Sequence, residues 1–569
     1  MDRQRLKHSL QRFRWYRPLH LAYTGWRARQ HGLPRWDEHL QHDRERWNVL
    51  LANSASANRR VLIATGAGGH LPSVTLESLL AVALTLRQTR VDMLLCDAAL
   101  PACMMAEVNW YQDVERFADL GPADRCGHCY GPAAQMLRDC GLHVLTLGAA
   151  GASERRATAA HLAATLPLQA LRTYRIDDVG VGEHALAGAL RFFARAELEE
   201  TPTAERVLRR YFLAALLAHD GASALFRQGR YEAVVLNHGI YVPQGVVAET
   251  ARRHGVRVIT WHTAYRRGCF IFSHDETYHH SLLSEPSAAW EGMRWSTDHA
   301  REIERYLRSR WDGAQDWETF QRNPEFSTDA LVRETGIDPT RPTIGLLTNV
   351  AWDAQLHYRG NAFPNMLDWL LKTIDYFGRR PDLQLLIRIH PAELIGKLPS
   401  RQPAQEEIEK AFPTLPPNVF VIPAHSRSST YTAMSLCNAV LIYGTKTGVE
   451  LSAAGIPVIV AGEAWIRGKD ITLDAHSAAD YFRLLDRLPF DSRLSPDQRD
   501  RGLRYAYHFF FRRMIPMDCV EASAGWPPFR VAVSRLDELA PGACAGLDVV
   551  CNGILHGAPF LYRAEETMQ

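Results

Sequence analysis

The sequence contains no run of roughly 18 consecutive apolar residues, so we expect no helix that spans a membrane. Its beginning lacks an apolar segment followed by a cleavage site, and we therefore expect a cytoplasmic rather than a secreted protein. The sequence has no internal repeat and no low-complexity segment. The net charge is only +2, which provides no overall basic surface, and we expect no nucleic-acid partner.

Cysteine is also sparse, with 10 residues among 569. In a long chain that is not secreted, cysteines are reduced thiols or metal ligands rather than a disulfide framework. Hydrophobic residues make up 46% and charged residues 22% of the chain, with a mean hydropathy of −0.22, as in globular proteins. A chain of this length exceeds one hydrophobic core, which predicts two or three domains.

The first segment, residues 1–58, differs in composition from the rest. Residues 1–35 carry nine Lys and Arg against one acid, Asp2, and Leu6, Leu10 and Phe13 are at helical spacing. A basic amphipathic helix can lie on an anionic membrane surface, which predicts a peripheral arm. An arm that packs on the main body accounts for the same pattern equally well.

Strand and helix patterns alternate twice along the chain, which predicts two doubly wound α/β units. The first, residues 59–335, opens with RRVLIATGAGGH, a strand that runs into a glycine turn. The second, residues 336–495, contains the strands LQLLIRIHP, NAVLIYG and IPVIVAG. Residues 496–569 are helical and aromatic, and we expect them to pack back across both units. The predicted fold is α/β, with two tandem Rossmann-like domains facing a central cleft.

Charged and polar residues occupy the end of one predicted buried strand, in LLIRIHPAEL at residues 385–394. Arg388 lies inside the apolar run and His390 follows it. Such groups are costly to desolvate unless they have partners. In open α/β sheets, ligands bind outside the carboxyl ends of the strands. Arg388 and His390 are therefore candidate ligand donors.

A tight turn follows another predicted strand, in YGTKTGVELSAAGIPVIVAG at residues 443–462. The turn consists of Gly444, Thr445, Lys446, Thr447 and Gly448. Backbone amides, hydroxyls and a lysine before a helix suit a phosphate. Glu450, in the first helical turn, is placed to accept hydrogen bonds from a ribose diol. The alternative is an ordinary strand–turn–helix with a buried, hydrogen-bonded histidine nearby.

Two histidines follow predicted strands of the first unit. His70 ends TGAGGH, whose small residues allow a substrate to approach the backbone, and His238 lies in NHGIY. A transfer that inverts configuration needs a group that takes the proton of the acceptor hydroxyl, and a histidine suits this near neutral pH. Both are candidate catalytic bases, and for each a binding or structural role remains the alternative.

Four cysteines have a spacing of the form C-x6-C-x22-C-x2-C: Cys96, Cys103, Cys126 and Cys129. The second pair suits tetrahedral zinc, and an iron–sulfur cluster also needs four thiolates. A thioredoxin-type pair is less favoured, because no helix is clearly signalled at Cys126. The remaining alternative is that these residues are small buried hydrophobes.

The motifs RIHP, YGTKTGVELSAAGIPVIVAG and WIRGKDITLDA resemble the capsule polysaccharide biosynthesis family of GT-B type, over about residues 230–560. The resemblance implies that His390 and Thr445 or Thr447 bind a nucleotide phosphate and that Glu450 binds ribose. Relatives transfer acidic sugars from CMP donors. This chain lacks their D/E-D/E-G motif, and DDVG at residues 177–180 is an imperfect echo of it.

From these motifs we expect a metal-independent glycosyltransferase that uses a CMP-, UDP- or GDP-linked sugar and needs no catalytic cofactor. The acceptor would be a capsule or other surface polysaccharide or a glycolipid, at the inner face of the membrane. Polyol-phosphate transferases and nucleotide-sugar epimerases share this scaffold, and a non-catalytic assembly scaffold is a further alternative.

Overall fold

The computed structural model describes residues 32–567 except 152, 312, 314, 318, 319, 321, 322 and 355–359. Within that part of the chain, no helix is both long and apolar enough to cross a membrane. The described residues form fifteen strands: β1 Arg60–Gly66, β2 Arg90–Leu95, β3 His143–Thr146, β4 Ala233–Asn237, β5 Arg257–Thr263, β6 Cys269–His274, β7 Thr343–Leu347, β8 Gln384–Arg388, β9 Val419–Ile422, β10 Ala439–Ile442, β11 Val458–Val460, β12 Leu473–Asp474, β13 Ile515–Pro516, β14 Val520–Ala522 and β15 Phe529–Val531.

Two sheets organise the chain. The first has the strand order β13-β6-β5-β4-β1-β2-β3, with β1 to β5 parallel and β6 antiparallel to both of its neighbours. The second has the order β12-β11-β10-β7-β8-β9 and is parallel throughout. Strands β14 and β15 form a separate hairpin. The two parallel sheets confirm the predicted tandem Rossmann-like fold, and we call them the first and second domains.

Helices connect the strands of the first domain. Their bounds are Trp36–His39, Arg44–Ala55, Leu71–Leu86, Val114–Leu120, Ala123–Asp139, Leu147–Ala150, Ser153–Thr165, Leu168–Arg172, Val181–Phe193, Pro202–Gln228, Gln244–Arg253, Tyr278–Ser284, Ala288–Glu291, Thr297–Ser309 and Thr328–Thr335. The second domain and the tail contain Met366–Gly378, Ala392–Ile395, Ala404–Ala411, Thr430–Ser435, Thr447–Ala453, Ala478–Leu485, Pro496–Tyr507, Ala545–His556 and Ala564–Thr567, with a π-helix at His508–Arg512 and a 3-10 helix at Leu536–Leu539.

Local sequence signals explain several of these boundaries. Helix Met366–Gly378 begins at Met366, because the Asn365 side chain caps it by accepting a hydrogen bond from the Asp368 amide at 2.8 Å. Its apolar face, with Trp369 fully buried, packs over the second sheet. Strand β8 is buried along its whole length, as expected of a parallel strand covered by helices on both faces.

The tail returns to the first domain. Helix Pro496–Tyr507 packs against helix Thr447–Ala453 of the second domain, and the chain then adds strand β13 to the edge of the first sheet beside β6. Helix Ala545–His556 buries its apolar side in the core of the first domain. The tail therefore completes one sheet as well as covering the other.

The described part of the N-terminal segment packs on the first domain. The indole nitrogen of Trp36 donates to the Ser78 hydroxyl at 3.0 Å, and that of Trp47 donates to the Cys140 carbonyl at 2.7 Å. Both side chains are buried. Most of the basic residues of the predicted arm lie in residues 1–31, outside the described residues, and membrane binding by the arm stays a prediction.

Candidate functional site

The loops that follow the carboxyl ends of the two parallel sheets contact each other. Tyr241, after β4, donates its hydroxyl hydrogen to Asp353, after β7, with 2.7 Å between the oxygen atoms. The Ala354 amide donates to the same Tyr241 hydroxyl at 3.2 Å. Because ligands of doubly wound sheets bind at these strand ends, the boundary between the domains is the candidate site.

An ion pair crosses the same boundary. His280 places Nε2 at 3.5 Å from a carboxylate oxygen of Glu463 in the second domain and Nδ1 at 3.3 Å from Glu276 in the first. Burial alone would lower the pKa of His280, but hydrogen bonds to the two carboxylates raise it to about 9. The ring is therefore charged at neutral pH, and Glu463 binds it across the boundary.

Two further contacts hold the domains together beside this pair. The ring of His279 stacks on Trp465 of the second domain, with the ring centroids 5.3 Å apart. The Lys469 ammonium donates to the carbonyls of Leu283 at 3.2 Å and Glu285 at 3.0 Å. The domains therefore meet along an extended surface.

Histidines from different strand ends line the first-domain side. The His238 ring lies 5.3 Å from the His262 ring and 6.5 Å from the His279 ring, measured between centroids. Burial lowers the pKa of His238 well below its usual value, and the positive charge that His262, His279, Arg191 and His70 can carry adds to this effect. His238 is therefore neutral near pH 7, as a general base must be before it takes a proton.

His70 lies on the same side, at the start of helix Leu71–Leu86. Its Nδ1 is 2.7 Å from the Ser73 hydroxyl. Burial, with the charges of Arg191, His262 and Lys397, lowers the pKa of His70 to about 3. His70 and His238, the two predicted bases, thus lie on the same side of the candidate site. Sequence reasoning missed the neighbouring His262 and His279. Only their positions in the sequence could have pointed to them, because His262 lies near the end of β5 and His279 follows shortly after β6.

His238 itself has an unusual backbone. Its φ is +66°, in the left-handed region that favours glycine, and Gly239 follows with a φ of +80°. The His238 amide donates to the Trp261 carbonyl at 2.9 Å, which fixes the turn at the end of β4. A non-glycine residue held in this conformation is typical of functional loops.

The glycine loop before His70 packs against helix Ala123–Asp139. A Cβ atom added to Gly68 would lie 2.5 Å from the carbonyl oxygen of Cys129, and one added to Gly69 would lie 3.2 Å from its Sγ. The small residues therefore allow helix Ala123–Asp139 to pack close to the loop. The approach of a substrate to this backbone stays a prediction. His70 is positioned by this packing.

The four predicted metal-ligand cysteines gather beside that loop. Cys126 and Cys129 lie on one face of helix Ala123–Asp139; Cys126 Sγ donates to the Pro122 carbonyl at 3.4 Å, and Cys129 Sγ accepts from the Gly69 amide at 3.0 Å. Burial raises the pKa of Cys126 to about 12 and that of Cys129 to about 11, and it also raises the pKa values of Cys96 and Cys103.

No metal-binding arrangement of three or more His, Cys, Asp or Glu side chains occurs within the described ranges. The zinc or iron–sulfur centre at Cys96, Cys103, Cys126 and Cys129 stays a prediction. It would require the sulfur atoms of Cys126 and Cys129 to exchange their present backbone partners for a metal.

His390 forms part of the second-domain side. Its Nδ1 accepts a hydrogen bond from the Ala392 amide at 3.1 Å, which assigns the ring proton to Nε2. Its own amide donates to the Thr348 hydroxyl at 2.9 Å and so joins the ends of β7 and β8. Burial, with the charges of Lys446 and Arg388, lowers the pKa of His390 to about 4. The ring is a neutral donor through Nε2.

Arg388 has partners within the protein. Its guanidinium donates to the carbonyls of Pro423 and Ser426 and to the Thr430 hydroxyl, and its side chain is buried. Burial lowers the pKa of Arg388 to about 10. Arg388 thus holds the loop after β9 in place. The phosphate contact expected of Arg388 stays a prediction, because that loop would have to move for a phosphate to replace its carbonyls.

The predicted turn Gly444–Gly448 follows β10, but its last two residues, Thr447 and Gly448, already belong to helix Thr447–Ala453. The hydroxyls of Thr445 and Thr447 are 3.1 Å apart, and the Thr447 amide donates to Thr445 Oγ1 at 3.3 Å. A Cβ atom added to Gly444 would meet nothing within 4 Å, whereas one added to Gly448 would clash with Ile442 at 2.5 Å. The turn is therefore open at Gly444 and packed against the sheet at Gly448.

Glu450 lies in a buried cluster of charges under this turn. Its carboxylate accepts from the Lys446 ammonium at 2.7 Å and from the Tyr431 hydroxyl at 2.5 Å, and the Arg310 guanidinium lies 3.3 Å away. Burial opposes ionisation, but the charges of Arg310 and Lys446 lower the pKa of Glu450 to about 2. The predicted ribose contact would require Glu450 to give up one of these partners.

Sequence reasoning missed the partners of Glu450. Arg310 comes from the end of helix Thr297–Ser309, and it also pairs with Asp316 at 2.5 Å. Tyr306 donates its hydroxyl hydrogen to the same Asp316 at 3.0 Å. The end of helix Thr297–Ser309 therefore supplies a counter-ion for Glu450, a role that the local sequence did not signal.

Comparison with models of protein families and with curated sequences finds no match. Among solved structures, the chain is similar to KpsC from Thermosulfurimonas dismutans, a beta Kdo 2,4 transferase, with 12% identity, 55% of this chain and 87% of that chain covered, and a TM-score of 0.35. The chain is also similar to the calicheamicin glycosyltransferase CalG4, with 14% identity, 79% of this chain and 94% of that chain covered, and a TM-score of 0.23. A third similar structure is the UDP-GlcNAc 2-epimerase from Neisseria meningitidis bound to UDP-GlcNAc, with 10% identity, 79% of this chain and 97% of that chain covered, and a TM-score of 0.26.

Because every TM-score is below 0.5, the fold assignment rests on the strand order of the two sheets.

Proposed function

We propose that this protein is a glycosyltransferase that transfers a sugar from a nucleotide-sugar donor to a capsule or other surface polysaccharide or to a glycolipid. One observation carries the proposal. Residues at the carboxyl ends of both sheets meet, as Tyr241 and Asp353 do at 2.7 Å, with neutral histidines on one side and the Gly444–Gly448 turn on the other. A base and a phosphate site on opposite walls are what a transfer between two substrates requires.

The second domain would hold the donor. The open turn at Gly444, the hydroxyls of Thr445 and Thr447 and the Nε2–H of His390 are hydrogen-bond donors suited to a nucleotide phosphate. As the bond between the sugar carbon and the phosphate oxygen breaks, negative charge grows on that oxygen. Preorganised donors stabilise this charge more in the transition state than in the ground state.

The first domain would hold the acceptor. The acceptor hydroxyl oxygen forms the new bond to the sugar carbon, and its proton passes to a neutral imidazole, for which His238 and His70 are the candidates. Burial is the main cause of their low pKa values, and neighbouring positive charges add to it; a bound anionic donor would offset those charges and so raise both pKa values. These protein groups carry the chemistry in our proposal, without a catalytic metal or cofactor.

We also propose that the reaction takes place in the cytoplasm at the inner face of the membrane. The nine basic residues among residues 1–35 support this, because such a segment is attracted to anionic lipid.

A ligand screen followed by product analysis tests the function. The full-length protein is screened by thermal shift against CMP, UDP, GDP and their sugars, where a ligand at 100 times its Kd adds about 2.7 kcal/mol of stability. The stabilising nucleotide sugar is then incubated with and without polysaccharide acceptors. Transfer should require an acceptor, whereas the formation of an epimerised sugar without acceptor, either still linked to the nucleotide or free, would identify an epimerase. No stabilisation by any nucleotide would favour a non-catalytic scaffold.

A further inference from the structure

A half-exposed tryptophan from the tail lies next to His70. Trp526 is in the loop between β14 and β15, and its side chain is 47% exposed. Its ring centroid is 6.2 Å from that of His70, in an edge-on arrangement. The tail therefore brings an aromatic side chain to the first-domain wall, beside a candidate base.

The second domain contacts the same ring. The Lys397 ammonium lies 4.2 Å from the centroid of the Trp526 indole, within cation–π distance. Its charge also acts on His70. Trp526, Lys397 and His70 thus come from the tail, the second domain and the first domain, and they meet at one place.

Buried neighbours hold the two side chains that flank His70. The Trp526 loop is closed by a hydrogen bond from the Ser523 amide to the Pro528 carbonyl at 2.8 Å, and Phe529, which follows, is fully buried against Phe270. Leu398, next to Lys397, is buried in the core of the first domain. Because this backbone is anchored, little loop freedom remains to be lost when a ligand binds the exposed ring.

We propose that Trp526 and Lys397 form an acceptor subsite in which a saccharide ring stacks on the indole. The C–H groups on one face of a pyranose ring carry partial positive charge and dock on the negative face of an aromatic ring. The Lys397 ammonium offers hydrogen-bond donors to hydroxyls at the edge of the same sugar. His70 beside them would meet an acceptor hydroxyl. This subsite rests on the proposed transfer reaction and adds the residues that select the acceptor.

Glycan binding by the full-length protein tests the subsite directly. The probe is an array of immobilised mono- to tetrasaccharides, and apparent Kd values are compared for the wild type, Trp526→Ala, Trp526→Phe and Lys397→Ala. The control is Arg530→Ala, which removes an exposed side chain paired with Glu521 in the same hairpin. Trp526→Ala should weaken binding about tenfold or more, as the loss of a central aromatic contact does. Trp526→Phe should retain most of the affinity, Lys397→Ala should lose part of it, and the control should equal the wild type.

Nucleotide binding, measured on the same samples, separates the subsite from the transfer reaction. Trp526→Ala should bind CMP, UDP or GDP as the wild type does. If the wild type binds no nucleotide while its glycan binding depends on Trp526, the transfer reaction fails and the subsite stands. The subsite is overturned if the wild type binds no glycan at millimolar concentration, or if Trp526→Ala binds glycans unchanged. Trp526-dependent binding to phosphatidylglycerol vesicles without glycan binding also overturns it, since the residue would then contact lipid.

Discussion

The Tyr241 hydroxyl and the Asp353 carboxylate join the two domains through a hydrogen bond of 2.7 Å at the carboxyl ends of β4 and β7. Tyr241 is buried, so its hydroxyl has exchanged water for this partner. This pair is one of several contacts that set how the first-domain histidines are placed relative to the Gly444–Gly448 turn.

The Tyr241→Phe variant tests how much this hydrogen bond contributes to the unfolding free energy. The substitution removes the hydrogen bond from the buried Tyr241 hydroxyl to Asp353, which is exposed and can bind water instead, so the expected loss is about 0.5–1.5 kcal/mol of unfolding free energy. Tyr376→Phe is the matched control, because Tyr376 donates to Asp486 at the same 2.7 Å but at an exposed position. Denaturant unfolding of both variants is the measurement. Equal losses of unfolding free energy in the two variants would show that the hydrogen bond between the domains contributes no more than the exposed one.

The ion pair between His280 and Glu463 predicts a pH dependence. The pKa of His280 is about 9 in the folded protein against 6.5 for the free side chain, so its stabilisation is complete below pH 6.5 and is lost as the pH rises through 9. The difference corresponds to stability on the order of 3 kcal/mol. Unfolding free energy is measured from pH 6 to pH 10 for the wild type, Glu463→Gln and the exposed control Glu406→Gln. The slope should flatten in part in Glu463→Gln, because Glu276 still pairs with His280, and it should stay unchanged in Glu406→Gln. An unchanged slope in Glu463→Gln would refute the pairing.

Substitution of Glu450 separates a structural role from a ribose contact. Glu450→Gln leaves Arg310 and Lys446 buried with less compensation, and loss of a buried partner costs about 3–5 kcal/mol. Asp368→Asn, which breaks an exposed pair with Lys372, should cost less than about 1 kcal/mol. Chemical denaturation gives both values. A Glu450→Gln variant of full stability with a raised KM for the donor would instead support the ribose contact.

Much of the fold follows from the sequence, because buried parallel strands and amphipathic helices leave local patterns. The Gly444–Gly448 turn and the strand-end histidines at positions 70, 238 and 390 are found by the same reasoning. Helix Ala123–Asp139 was not signalled, because Gly127, Gly131 and Pro132 interrupt its pattern. Packing against the glycine loop overrides those weak preferences.

Contacts between distant segments could not be predicted. Arg310 pairs with Glu450, and Trp526 contacts His70. Both contacts arise because segments that are far apart in the sequence pack together in the fold. Strand β13 is two residues long and is defined by pairing with β6 rather than by its own sequence. Such partners depend on tertiary packing, of which a single sequence carries no periodic signal.

Titration calorimetry of nucleotides with His390→Ala tests the central claim, that the second domain binds a nucleotide sugar through the end of β8 and the Gly444–Gly448 turn. The wild type, His390→Ala and the exposed control His425→Ala are titrated with the nucleotide that the thermal-shift screen selects. We predict one site in the wild type and in the control, and about tenfold weaker binding in His390→Ala, since a lost hydrogen bond to a charged phosphate is worth about 1.5–3 kcal/mol. Equal affinity in all three proteins, or no binding to the wild type at millimolar nucleotide, would contradict the account.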